Sequence, residues 1–276
     1  MKHILRAAYR HLAPRWVKHR FVYPLFAHQR IAPPELIDRF DAERILVIAP
    51  HMDDEVIGCG GTLRKQVLAG SQVAVVFLTD GCKGDAALRA RTDLPAADRR
   101  EQELRHSESR KEESRRAAEI LGIQELFFLD FPDSGFRTGP ETLAPFLEVI
   151  EAWKPGLIFL PFPADRHRDH EEANALLVEA IRTSRQAWPD LGCAGYETWS
   201  PLFANRMVDI GDVLEDKKRA LQEFETQLAH TDYVAAAVGL SAYRSMIHLE
   251  GRGHAEAFYY ADFRDYAALY DRLTYR

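Results

Sequence analysis

Residues 50–55 read Pro-His-Met-Asp-Asp-Glu, and residues 164–170 read Ala-Asp-Arg-His-Arg-Asp-His. The first stretch sets an imidazole, His51, three positions before Asp54, with Asp53 and Glu55 alongside; the second adds His167, Asp169 and His170. An imidazole nitrogen and a carboxylate oxygen can converge on one ion, and that ligand mixture suits zinc among the divalent metals. A catalytic zinc site takes three protein ligands and keeps one position for water. Two histidines and one aspartate from these stretches would complete such a site, leaving one histidine and one aspartate for proton transfer. Helix capping is the plainer reading of PHMDD by itself, because Asp favours strand-to-helix junctions. Capping requires neither the histidines nor their repetition after a second strand.

Both stretches follow apolar runs, ILVIAP at 45–50 and LIFLPF at 157–162, and similar runs occur at 73–79 and 126–130. Continuous apolar runs of this length predict buried parallel strands. Helical stretches at 51–69, 98–121, 142–153 and 169–186 alternate with them, which is the strand–helix pattern of an α/β domain. In open sheets of that class ligands bind at the carboxyl ends of the strands, where both histidine-bearing stretches fall. Weaker strands are predicted at 194–199, 206–210 and 256–261, with a charged helix at 212–228. Residues 83–98, rich in Ala, Arg and Asp, read as a lid or rim loop.

The chain has 276 residues, 46% of them hydrophobic, enough for one large domain. Lys and Arg number 36 against 42 Asp and Glu, a net charge of −6 that offers no phosphate-binding footprint, so nucleic acid is not an expected partner. The three cysteines, Cys59, Cys82 and Cys193, form no CxxC pair, which suits a reducing, cytoplasmic setting. No apolar stretch reaches the length of a bilayer span and no signal-peptide pattern precedes the domain. Residues 1–30 hold seven Lys or Arg side chains, among them Arg10, Arg15 and Lys18, with no Asp or Glu. Residues 1–43 are therefore read as a basic amphipathic extension to a single domain at 44–276. Packing across its own acidic domain is the favoured use of residues 1–30; peripheral contact with the inner face of a membrane is the alternative.

Further marks accompany the two histidine motifs: Leu78-Thr79-Asp80-Gly81, Arg110 to Glu113, Phe131-Pro132-Asp133-Ser134-Gly135 and Ala255-Glu256-Ala257-Phe258. Together they resemble the PIG-L-like (LmbE-like) zinc-dependent deacetylases, whose marks are an AHPDDE-type motif after the first strand and a later HPDH-type motif. The resemblance covers residues 44–260 and implies a Rossmann-like three-layer α/β fold with a mostly parallel sheet flanked by helices. It implies one zinc ion and an N-acetylated sugar of the N-acetylglucosamine type as substrate. By it His51, Asp54 and His170 match the metal ligands, Asp53 the general base, and His167 the group that, protonated, stabilises the oxyanion or protonates the leaving amine. Asp169 is expected to steady His167 through its other ring nitrogen. Asp133 would bind sugar hydroxyls, although a purely structural turn is as good a reading. Arg110 would lie near the substrate, although a surface ion pair with Glu113 is the ordinary outcome of their helical spacing.

Met52 and Arg168 stand where the family usually has Pro, and neither is a ligand position. Arg168 would place a positive charge beside the pocket mouth, favouring a substrate with phosphate or carboxylate, unless it is simply solvated. Gly58, Gly60 and Gly61 lack the GxGxxG order of a nucleotide loop and predict close helix-to-sheet packing. That argues against a non-catalytic nucleotide-binding module, while an amidase acting on a sugar–cysteine conjugate would use the same metal site. His248 and His254 are read as structural or substrate-edge residues. The oligomeric state and the sugar acceptor are not legible; the basic lead-in tilts toward a lipid-linked sugar.

Overall fold

The computed structural model describes residues 32–274, so the expectation of membrane contact through residues 1–30 lies outside the described residues. Strands β1 (Glu35–Ile37), β2 (Arg44–Ala49), β3 (Gln72–Thr79), β4 (Glu125–Phe131), β5 (Leu157–Pro161), β6 (Gly192–Tyr196), β7 (Arg206–Asp209) and β8 (Ala255–Asp262) form one sheet. Their order is β1-β7-β8-β6-β5-β2-β3-β4. Every neighbour pairs in parallel except β8, which runs antiparallel to β6 and β7. Helices α1 (Asp54–Leu68), α2 (Ala86–Ala90), α3 (Ala96–Leu121), α4 (Pro140–Trp153), α5 (Arg168–Thr183), α6 (Leu214–Gln222), α7 (Glu225–Leu228), α8 (Tyr233–Arg244) and α9 (Phe263–Thr274) connect and flank the strands. The chain thus builds the Rossmann-like, mostly parallel α/β fold that its motifs imply.

The apolar runs explain the layers. Side chains alternate across a strand, so Ile45, Val47 and Ala49 enter one core with Val75, Phe77 and Phe159, while Leu46 and Ile48 enter another with Val76, Leu78 and Leu160. Each fully buried Leu, Ile or Val of this kind stabilises the fold by about 1.5–3 kcal/mol. From β2 the chain moves outward through β3 to β4, then returns to lay β5 against the other side of β2. That reversal is the position at which open α/β sheets form a ligand crevice.

Helix α1 packs closely on the sheet, as its glycines predict. A Cβ at Gly58 would lie 2.2 Å from Tyr196 Cδ2, and one at Gly61 would lie 2.8 Å from the Ile210 side chain. The first turn of α1 carries the buried carboxylates Asp54 and Glu55, the reverse of a phosphate cradle. On its other side the helix meets a buried ion pair. Glu256 accepts from the Gly61 and Thr62 N–H groups at 2.9 and 2.7 Å and from Lys217 Nζ at 2.6 Å; Lys217 also donates to Ile57 O at 2.9 Å. Lys217→Met is expected to destabilise the protein by about 3–5 kcal/mol, because it strands a buried carboxylate. Urea denaturation measures this, and a loss below about 1 kcal/mol would show that Glu256 is satisfied without its lysine.

Three sequence expectations change. Strand β1, which no apolar run announces, joins the sheet ahead of Arg44 by pairing with β7; three residues are too few to display a strand period. The helix read at 212–228 is a 3₁₀ turn, Gly211–Val213, followed by α6 and α7. Residues 83–98 are not all loop, because α2 lies within them. Among the described residues no helix is long and apolar enough to cross a membrane.

Candidate active site

Strand β2 delivers His51 to the carboxyl edge of the sheet and α1 opens at Asp54. Asp53 between them takes φ 146°, a conformation that costs about 1–3 kcal/mol and persists where its surroundings impose it. Arg110 of α3 imposes it. This buried guanidinium donates from Nη2 to Met52 O at 2.7 Å and from Nη1 to Gly81 O at 3.2 Å, and Nη2 lies 3.3 Å from Asp53 Oδ2. The surface pair with Glu113 does not form; Glu113 is buried and accepts from the Thr226 N–H and hydroxyl. Arg110 lines the cavity described below, but two of its nitrogens are held by the turn it supports.

Beyond β5 the chain reaches His167, which caps α5 by accepting the Asp169 N–H on Nδ1 at 3.3 Å. Helical spacing brings His170 to the same side. The His51 ring centroid then lies 4.7 Å from that of His167 and 5.6 Å from that of His170. His51 Nδ1 is 3.1 Å and His170 Nε2 is 3.2 Å from the same atom, Asp54 Oδ2. Ligand atoms about 2.0–2.2 Å from one tetrahedral ion stand about 3.4 Å apart, and both of these nitrogen–oxygen separations are close to that value. The contact of His170 Nε2 lacks hydrogen-bond geometry, and this buried nitrogen has no other partner. Burying it so costs about 1–3 kcal/mol, a cost that a cation between the three atoms removes.

The far nitrogen of each ring meets a carboxylate: Asp169 Oδ2 is 3.1 Å from His51 Nε2, and Asp165 Oδ2 is 3.1 Å from His170 Nδ1. Metal-ligating histidines usually have such partners, which fix the tautomer and the ring plane. Two groups of ligand-type atoms lie within 4.8 Å of one another, His51–His167–His170 and His51–Asp133–Asp169. In them His167 Nδ1 is already engaged, and Asp133 accepts from the Lys83 N–H at 2.8 Å and the Ser134 hydroxyl at 2.9 Å. His51 belongs to both groups, and Asp54 Oδ2 is engaged as well, accepting the His51 N–H at 2.9 Å. Asp165→Asn is expected to weaken metal affinity about 10–100-fold in a chelator competition; unchanged affinity would reduce Asp165 to a loop cap.

Asp169 departs from expectation. Its carboxylate serves His51 and accepts the Ser134 N–H at 2.9 Å, because the capping turn presents only its backbone N–H to His167. That contact leaves the proton of a neutral His167 ring on Nε2. Burial, reinforced by His51 and His170, holds His167 below the usual histidine range, a shift toward the neutral ring and away from the imidazolium. Burial opposes a charge on His51 and His170 too, but Asp169 and Asp54 outweigh it at His51, raising it to about 10, and Asp54 and Asp165 raise His170 to about 9. Burial also works against the Asp54 charge, yet the two imidazoles hold it well below the carboxylate range. The field at this point favours positive charge. Burial pushes Asp53 up, with Arg110 opposing and Asp54 adding to the shift, and burial together with Asp53 lifts Glu55 to about 8.

A cavity of about 350 Å³ opens over the cluster. Its base includes Asp53, Asp133 and His167; Lys83 and Arg89 of the 83–98 segment form one wall, and Trp199, His230 and Tyr233 another. Arg168 is exposed and outside the lining, because the first turn of α5 that faces His167 and His170 inward leaves it on the solvent side. His248 and His254 are outside it as well, and His248 Nε2 contacts Pro34 O. Sequence reading did not single out Asp165, although a carboxylate five residues before a ligand-type histidine is a usable signal. Trp199, His230 and Tyr233 carry no such local mark.

A parallel sheet with a histidine–carboxylate cluster at its reversal point and a polar cavity above has the build of a metal-dependent hydrolase. Residues 46–181 match the family model PIG-L, described as GlcNAc-PI de-N-acetylase. A diacetylchitobiose deacetylase from Thermococcus kodakarensis is 35% identical over 203 residues, covering 68% of this chain and 71% of that protein. The fold superposes on N,N'-diacetylchitobiose deacetylase from Pyrococcus horikoshii with a TM-score of 0.66 at 22% identity, over 90% of this chain and 93% of that one. A 4-oxalmesaconate hydratase from Pseudomonas putida is 27% identical over 237 residues, 75% of this chain and 86% of that protein. The chain belongs to the PIG-L family. It is an enzyme that hydrolyses amide bonds.

Proposed function

We infer that this protein is a zinc-dependent hydrolase that removes the acetyl group from an N-acetylated sugar of the N-acetylglucosamine type. The convergence of His51 Nδ1 and His170 Nε2 on Asp54 Oδ2 carries the reading, with Asp169 and Asp165 behind the two rings. These nitrogen and oxygen donors suit zinc, which when bound supplies polarisation of water and carbonyl and brings the pKa of water toward neutrality.

The chain's own groups divide the remaining work. Asp53, at the cavity base and lifted by burial, takes the proton of the attacking water. Arg110, 3.3 Å from it, keeps its carboxylate aimed from the strained turn. His167 donates a hydrogen bond from Nε2 to the carbonyl oxygen as charge grows there, and Asp53 passes the proton it took from water to the departing amine. Asp133, at the cavity base, accepts from a sugar hydroxyl. Asp169 acts through His51 as a positioning residue.

The test is elemental analysis of protein purified without chelator, followed by acetate release from N-acetylated sugars with and without added zinc. Zinc-dependent acetate release is expected. A hydratase would form no acetate, and an amidase for sugar–cysteine conjugates would release the amino acid instead; either outcome replaces this function.

A further inference from the structure

We propose that Trp199, with Tyr233, is a stacking platform for a second sugar ring, so that the substrate is a glycoside whose N-acetylated ring enters the cavity while its neighbour lies on the indole. This rests on the deacetylase reading above. Trp199 lines the cavity and remains 55% exposed, so its indole face is open to a ligand. It is also rigidly held. Its backbone N–H donates to Asp165 Oδ2 at 3.2 Å, the oxygen that meets His170 Nδ1 at 3.1 Å. The loop that carries it is tied by Glu197, which accepts from the Leu202 N–H at 2.8 Å and from Arg244. The position of the indole is thereby coupled to that of a metal-ligand histidine.

The ring geometry points the same way. The Trp199 plane lies 20° from that of His167, with centroids 6.4 Å apart, and Tyr233 stands edge-on to it at 84° and 6.3 Å. The indole thus presents its face within reach of a ring joined to the sugar that is deacetylated beside His167. A pyranose offers a C–H face to an aromatic surface and hydroxyls at its edges. Thr198, Gln227, His230 and Thr231 line the same cavity, so a sugar edge finds hydrogen-bond partners where a hydrocarbon chain would leave those polar groups unpaired.

The experiment uses the full chain loaded with zinc, N-acetylglucosamine as the single ring, and its β-1,4-linked N-acetylated disaccharide. Trp199→Ala is expected to lower the disaccharide-to-monosaccharide ratio of kcat/KM about tenfold, chiefly through KM, as the loss of one aromatic contact would. Trp199→Tyr is expected to hold the ratio within about twofold of wild type. Titration calorimetry of both sugars runs in parallel, and the disaccharide should lose affinity on Trp199→Ala while Trp199→Tyr restores it. Acetate release from wild type with an unchanged ratio in Trp199→Ala would overturn the platform and leave the deacetylase reading standing. Wild type that releases acetate from neither sugar would overturn that reading, and the platform then stands or falls on whether disaccharide binding depends on Trp199.

Discussion

Asp53→Asn is expected to lower kcat for acetate release by about 10²–10⁴-fold while zinc content stays at the wild-type value. The amide keeps the shape of the carboxylate, and Asn accepts a positive φ almost as readily as Asp, so the strained turn at φ 146° survives. What disappears is the ability to take a proton from water. Arg110 keeps its contacts to Met52 O and Gly81 O, and the elements that hold His51 and Asp54 are untouched. The fall should therefore appear in kcat and kcat/KM together, the pattern of an interaction made only in the transition state. Near-normal turnover in this variant would assign the base to another group, with Glu55, which accepts the Asp53 N–H at 3.2 Å, the first to examine.

His170→Ala is expected to do the converse, losing zinc itself. The substitution removes one of the three converging donors and leaves His51 and Asp54, three residues apart on one turn, as the remaining pair. Its effect on metal affinity should exceed the about 10–100-fold expected when only an outer carboxylate such as Asp165 is altered. Chelator competition monitored by zinc content measures it, with far-ultraviolet circular dichroism to show that the variant is folded. His170→Asn retains more of the buried volume and separates ligand loss from cavity formation. Wild-type affinity in both variants would move the cation elsewhere in the cluster, to the His51–Asp133–Asp169 side.

Local chemistry made much of this legible beforehand. Strands β2, β3, β4 and β5 are apolar at nearly every position, and an uninterrupted run needs no partner to be recognised. Both histidine motifs lie within a few residues of a strand end, so their placement at the carboxyl edge followed from strand polarity. The errors arose where a contact from far along the chain decided the outcome. Strand β1 exists because β7 offers it an edge. The Asp169 carboxylate turns to His51, 118 positions away, because capping by its own backbone N–H already satisfies His167. Arg168 is solvated because the helix turn that faces its two histidine neighbours inward leaves it outward.

The sequence by itself determined which donors exist, in what order and on which edge of a parallel sheet, since side-chain chemistry and strand periodicity are properties of short segments. Only the tertiary structure decided that β5 lies directly against β2, with β3 and β4 on the far side. That adjacency sets His170 Nε2 3.2 Å from Asp54 Oδ2 and carries Trp199 and Tyr233 to the wall of the same cavity. Its physical basis is burial: apolar strands seek cover on both faces, and the arrangement that covers them all fixes which loop ends meet.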